Sequence, residues 1–141
     1  MSDRRTDLDA FLSKFSGETH RLQDDADVFE RLGIDGDDGS EFIEAFAARF
    51  DVDVSGYRWY FHHGEEGWSL GGLFFRSPDR RVQRLPITPP ILMDAIRTKH
   101  WPIDYPAHQL PSVRWDIRIN QALTVLILVL LGVWVWQRFL S

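Results

Sequence analysis

The chain has 141 residues, no cysteine and a formal net charge of -5 at pH 7. With its apolar tail set aside, that length holds one domain of about a hundred residues and excludes a large catalytic fold; the missing cysteine excludes disulfides, thiolate zinc sites and cysteine nucleophiles, and suits a reducing compartment. Charge is unevenly spread, net -9 up to Ser55 and +4 beyond it, so the acidic half argues against nucleic-acid binding, which needs clustered Lys and Arg, and suits a basic protein partner.

The opening MSDRRTDLDAF carries two Arg with no apolar run behind them, so no signal peptide is expected. Thr6 and Asp9 offer a capping box for a first helix, in which Leu8, Phe11, Leu12 and Phe15 form an i, i+3, i+4, i+7 core stripe, and Gly17 ends it. A polar loop through Asp24 to Asp27 leads to a short turn at Val28, Phe29 and Leu32. The stretch from Leu32 to Val54 organises the rest. Its Phe42, Ile43, Phe46, Ala47 and Phe50 recur at helical spacing. Asp38 sits as an N-cap with Glu41 three residues on, which predicts a helix starting at Gly39 or Ser40 whose N-terminus faces a loop of Asp35, Asp37 and Asp38.

Leu32, Gly33, Asp35, Asp38, Glu41, Ala45 and Phe50-Asp51 follow without a gap the L-G-x-D-S-L-D-x-x-E run of a known family. Over roughly Asp7 to Trp101 the chain resembles the acyl carrier proteins, specifically so at the acidic turn and the helix behind it. The resemblance implies that the first long helix and the one after the acidic turn pack antiparallel across a long loop. It implies docking of the acidic face, Asp35, Asp37, Asp38, Glu41 and Glu44, onto basic patches of partner proteins. One departure decides the chemistry. Gly36 occupies the position of the carrier serine, and Asp37 replaces the Leu after it. Glycine has no hydroxyl to take a phosphopantetheine arm, and Ser40 lies about one helical turn away, so no cofactor is expected. The chain is also similar to a group of uncharacterised bacterial domains that lack the serine and share a W-Y-F strand and an I-T-x-x-x-L helix, matched here by Trp59-Tyr60-Phe61 and by Ile87, Thr88 and Leu92.

After Val54 the pattern turns aromatic and alternating. Arg58 to Phe61 reads as a strand, and Leu70 to Arg76 with Arg81 to Leu85 as a hairpin around Ser77-Pro78-Asp79. Thr88-Pro89-Pro90 then offers an N-cap with Pro at the first helical positions, followed by Ile91, Leu92, Ala95, Ile96 and His100 at helical spacing. Pro102, Pro106 and Pro111 make Trp101 to Pro111 a stiff connector.

Ile117 to Leu140 is different material. Counted from Ile119 to Trp136 it gives about 18 apolar or neutral residues, about 27 Å of helix, near the hydrocarbon thickness of a bilayer. A small domain has no interior to cover a segment apolar on every side. Ala122, Leu126 and Val129 would lie in the membrane, with Trp134, Trp136 and Phe139 as an interfacial belt and Arg138 snorkelling. Arg114 and Arg118, with Lys99 behind them, outnumber Arg138 beyond the span, which places the amino-terminal domain on the cytoplasmic side of a bacterial inner membrane.

Three motifs carry less than their letters suggest. Gly67-Trp68-Ser69-Leu70-Gly71 matches a G-x-S-x-G nucleophile elbow, which needs a strand-to-helix turn on a large parallel sheet. Asp35, Asp37 and Gly39 start like a calcium loop but have Gly39 and Phe46 where ligands belong. His62, His63, Glu65 and Glu66 are metal-ligating types, yet neighbouring His on a strand face opposite ways, so a polar hairpin loop is expected and no metal.

The expected architecture is mainly α with a small β-hairpin elaboration (α+β): a carrier-like helical domain over residues 1–101 with a β insertion at 57–86, a Pro-rich connector 102–116, and one transmembrane helix 117–140. The expected function is that of a non-catalytic, tail-anchored adaptor, with a basic protein partner, alone or within a membrane complex, and the lipid bilayer as its contacts. The competing reading makes it an enzyme or subunit of a lipid-modifying membrane complex working through His62, His63 and Glu65. A third uses the tail as an oligomerising helix.

Overall fold

The computed structural model describes residues 2–17, 21–65 and 69–139. Within them lie five α-helices: α1 Ser2–Ser16, α2 Val28–Leu32, α3 Gly36–Phe50, α4 Pro89–Thr98 and α5 Trp115–Phe139. The first four enclose one core, and α5 leaves it.

Helix α1 turns Leu8, Phe11 and Leu12 inward. It starts at Ser2, so Thr6 and Asp9 are interior positions rather than a capping box. Asp9 is instead bound by Arg5 one turn earlier at 2.9 Å, and Arg5 also holds Asp24 and the Leu22 carbonyl, which pins the following loop onto α1. Asp27 caps α2 by accepting from the Phe29 and Glu30 amides, and Gly33, at φ 65°, lets the chain turn out of the helix.

Helix α3 also begins earlier than the Asp38/Glu41 pattern predicts. Asp35 is its N-cap, accepting from the Gly36 amide at 3.0 Å, and the Asp38 amide already bonds the Asp35 carbonyl. Gly36 makes this possible by adopting φ 51°, a conformation a serine side chain would strain. Phe42, Ile43, Phe46 and Phe50 point inward as their spacing predicts. Phe15, late in α1, meets Phe42, early in α3, at 5.0 Å between rings, while Phe11 reaches Phe46 and Phe50 at 5.9 and 5.5 Å, the run expected of antiparallel neighbours. Edge-on rings fill the space between the helices.

Thr88 stands at the N-cap of α4 with Pro89 and Pro90 behind it, and Leu92, Ala95 and Ile96 close the core. Lys99, at φ 66°, ends the helix and donates its ammonium to the Phe50 carbonyl at the end of α3. An isolated parallel bridge between Asp53 and His100 joins the two exits.

Among the described residues there is no strand, so the predicted hairpin is absent. Trp59–Phe61, Gly71–Leu73 and Pro78–Arg81 are 3₁₀ turns. A half-covered strand would alternate buried and exposed residues, whereas Tyr60, Phe61, His62 and His63 are all buried in succession. Their burial requires cover on every side. The Pro-rich segment supplies part of it, and is therefore a strap on the domain rather than a spacer. Trp101 is buried, and Tyr105 and His108 pack on the Phe61 ring.

His62 is the knot of this region, with both ring nitrogens engaged. Its Nδ1–H donates to the Leu85 carbonyl at 2.8 Å, which leaves Nε2 to accept from the Tyr105 hydroxyl at 2.7 Å. That hydroxyl in turn accepts from the Trp101 indole and the Arg58 amide. A second pair repeats the logic: His108 donates to the Pro106 carbonyl and accepts from the Tyr60 hydroxyl.

Helix α5 has 25 residues, about 37 Å at 1.5 Å per residue. Its most apolar stretch of 18 residues has a mean hydropathy of 2.0, and none of that stretch is buried against the domain. Ala122, Leu126, Val129, Trp134 and Trp136 are all exposed. The helix is long and apolar enough to cross a bilayer, and starts two residues before the predicted boundary.

Burial of His62 pushes its pKa from 6.5 down to about 4. The unfolded chain takes up that proton below about pH 6.5 and the folded chain does not, so the stability is complete above that pH and is lost as pH falls toward 4, by roughly 3 kcal/mol. Gln can donate to Leu85 and accept from Tyr105 without titrating. Between pH 7 and 4.5 the thermal midpoint of the detergent-solubilised chain should therefore fall further for the wild type than for His62→Gln; equal falls would show that His62 is not the sensitive group.

Candidate functional site

Where α3, the aromatic 3₁₀ turns and the first turns of α5 meet, they leave a cleft of about 770 Å³. Asp37 and Ser40 of α3 line one wall, Trp59, His63 and Glu65 the second, and Asp79 and Arg80 the third. Asp116, Ile117 and Asn120 of α5 complete it.

The junction with α5 is built from close packing and hydrogen bonds. Gly71 lies so near the Asp116 carbonyl that a Cβ there would overlap it. The Asn120 side chain accepts from the Gly71 amide at 2.9 Å and donates to the Ser69 hydroxyl at 2.8 Å. Arg114 closes the arrangement as a clasp, two-pronged on Glu65 at 2.9 and 2.7 Å and on Asp116 at 3.0 and 2.6 Å. Asp116 is 5% exposed, so its charge depends on that guanidinium. The two carboxylates hold Arg114 firmly in its charged form, the Asp116 contacts contributing most.

Two polar atoms of the cleft residues have no partner in the protein: His63 Nε2 and Asp79 Oδ1. His63 Nδ1–H donates to the Gly64 carbonyl at 3.2 Å, so Nε2 carries a lone pair and is an acceptor. A carboxylate oxygen is an acceptor as well. The His63 ring lies flat against α3, and a Cβ on Gly39 would come within 2.7 Å of it. Gly39 is therefore a close-approach glycine inside α3, a role that the helix-start reading missed.

The structure distributes the sequence-predicted site residues unevenly. Asp37, Asp38, Glu41 and Glu44 are exposed and make no ion pair among the described residues. Asp35 is spent locally, bonding the amides of Gly36 and Gly64 and tying the aromatic turn to the start of α3. His62, His63 and Glu65 do not form one site: His62 is saturated inside the strap, His63 faces the cleft, and Glu65 belongs to Arg114. No three His, Cys, Asp or Glu side chains come together as a metal site among the described residues. Gly67 and Trp68 of the elbow-like motif, and Glu66, lie outside the described residues. Ser69 of that motif bonds Gly72 and Asn120, with no histidine on it. Arg114 and Asn120 were legible only as a charge count and a polar flank of the tail.

Comparison with protein-family models, with curated proteins and with solved structures finds no match.

Arg114→Ala leaves the buried Asp116 carboxylate unpaired and should cost about 2 kcal/mol at the junction. The expected signature is faster amide exchange at Gly71 and Asn120 with little change in the α1–α4 core. Adding Asp116→Asn should recover part of the protection. Unchanged exchange in Arg114→Ala would rule out the clasp.

Proposed function

We propose that this chain is a non-catalytic adaptor, anchored by α5 in a bacterial inner membrane with its helical domain on the cytoplasmic side, and that the acidic edge of α3 docks a basic protein segment. The observation that carries this reading is the unpaired charge on α3. Asp37, Glu41 and Glu44 fall at i, i+4, i+7 on the side of the helix opposite Phe42, Phe46 and Phe50. Asp37 and Asp38 gain from the helix N-terminus, but Glu44 lies beyond the first turn, and the acidic neighbours repel one another by about 0.2 to 0.5 kcal/mol per pair. A chain that keeps such charges uncompensated has a use for them outside itself.

Asp37 and Ser40 link the acidic edge to the cleft. The reading of the domain as a carrier without cargo is supported by Gly36, whose left-handed backbone disfavours serine, and by the interlocked Phe11, Phe42, Phe46 and Phe50 rings between α1 and α3. The cytoplasmic placement is supported by Arg114 and Arg118 before the apolar run against Arg138 after it.

A photo-crosslinking residue at Ser40 should give a discrete product in native membranes. Glu41→Lys with Glu44→Lys should reduce that product at least tenfold, and added salt should weaken it in the wild type. A product that survives charge reversal would dispose of the acidic-edge model. Intact mass after co-expression with a phosphopantetheinyl transferase should remain that of the bare chain.

A further inference from the structure

Beside the start of α5, Leu73 and Phe74 are 75% and 77% exposed, and Phe75 is 39% exposed. The domain leaves Leu73 and Phe74 largely uncovered and covers Phe75 in part. Arg76 follows Phe75 directly, and the turn at Pro78–Arg81 adds Arg80 and Arg81: all three are exposed, and none pairs with a carboxylate among the described residues. An apolar tip backed by free cations is a costly surface to show to water.

Its height along α5 is fixed. Gly71 is bonded to Asn120 and packed on Asp116, so the tip emerges level with the first turns of the helix. From Asn120 to Ala122, where the apolar run starts, the helix rises only about 3 Å. Trp115 and Ile117, 50% and 39% exposed, lie on the same first turns, with the Arg118 guanidinium 5.5 Å over the Trp115 ring. Apolar and aromatic side chains with Arg alongside, at the depth where a spanning helix enters lipid, match the boundary between headgroups and acyl chains.

We infer that the segment from Leu73 to Arg81 is a second membrane contact, in which Leu73, Phe74 and Phe75 insert at the interface beside α5 and Arg76, Arg80 and Arg81 bind the phosphates of anionic phospholipids. The inference rests on α5 being a membrane span. The two contacts together set the tilt of the domain, because a helix alone leaves rotation about its axis free. Anionic headgroups are the favoured lipid class, since these guanidiniums have no acid of their own to neutralise them.

The natural chain has no cysteine, so single nitroxides can be placed at will. Full-length protein labelled at Arg76→Cys, Leu128→Cys or Glu44→Cys is reconstituted into phosphatidylcholine vesicles with and without phosphatidylglycerol, and each label is tested for collision with oxygen and with a water-soluble nickel chelate. Leu128 should favour oxygen strongly and Glu44 nickel. Arg76 should read at headgroup depth, move deeper when phosphatidylglycerol is added, and shift severalfold toward nickel when Leu73, Phe74 and Phe75 are changed to Ser. An Arg76 label as nickel-exposed as Glu44, with Leu128 still deep, would overturn the second contact and leave the anchor standing. A nickel-exposed Leu128 would overturn the anchor, and this inference with it. An Arg76 label at headgroup depth but indifferent to phosphatidylglycerol would overturn the phosphate assignment.

Discussion

The structure turns on the contact between Gly71 and the Asp116 carbonyl. Because Gly71 has no side chain, the 3₁₀ turn at Gly71–Leu73 can lie directly on the backbone of α5, where the Asn120 amide group and the Arg114 clasp then lock it. A single apolar helix joined to a domain by a proline-rich segment is usually pictured as a head on a tether. Here the segment between Trp101 and Pro111 is bound to the domain by Tyr105 and His108, and the first turns of α5 form a wall of the cleft. The head and the start of the helix are one piece.

That unity gives the surface a direction. The apolar tip at Leu73 to Phe75 lies beside α5, whereas the acidic residues of α3 sit on the side of that helix turned away from the core. Between them is the cleft, with one wall from α3 and one from α5. A partner captured on α3 would thus be held at a set distance from the bilayer that α5 can cross. The proposed adaptor role would rest on such positioning. His62 fastens the strap to the segment at Leu85, and the His63 ring packs against Gly39.

The helices were legible where periodicity and caps agreed. Phe42, Phe46 and Phe50 in α3 and Leu92 and Ile96 in α4 announced buried stripes, and the apolar run of α5 a long uncovered helix, that the structure displays. The tip of α3 was misread because Asp35 and Asp38 are both competent caps; the choice fell to Asp35 once Gly36 took a left-handed turn, which local propensity does not reveal. The aromatic stretch failed for a different reason. Trp-Tyr-Phe favours pleated backbone only when a neighbouring strand and a half-buried face are available, and here Tyr60 is claimed by His108 and the adjoining His62 by Tyr105 and the Leu85 carbonyl, all more than twenty residues away. Long-range hydrogen bonds of that kind leave no periodic trace. The cleft was invisible for the same reason, since Asp37, His63, Asp79 and Asp116 come from four separate segments.

The rigidity of the junction is the claim on which the positioning argument depends, and it is open to a direct distance measurement. Nitroxide labels at Ala48→Cys, at the exposed end of α3, and Val125→Cys, on α5, can be read by pulsed electron double resonance in lipid nanodiscs. A single narrow distance distribution, unchanged between detergent and bilayer, is what a locked head requires. A broad distribution in the bilayer would mean that the domain swings freely on its helix, and would contradict the account.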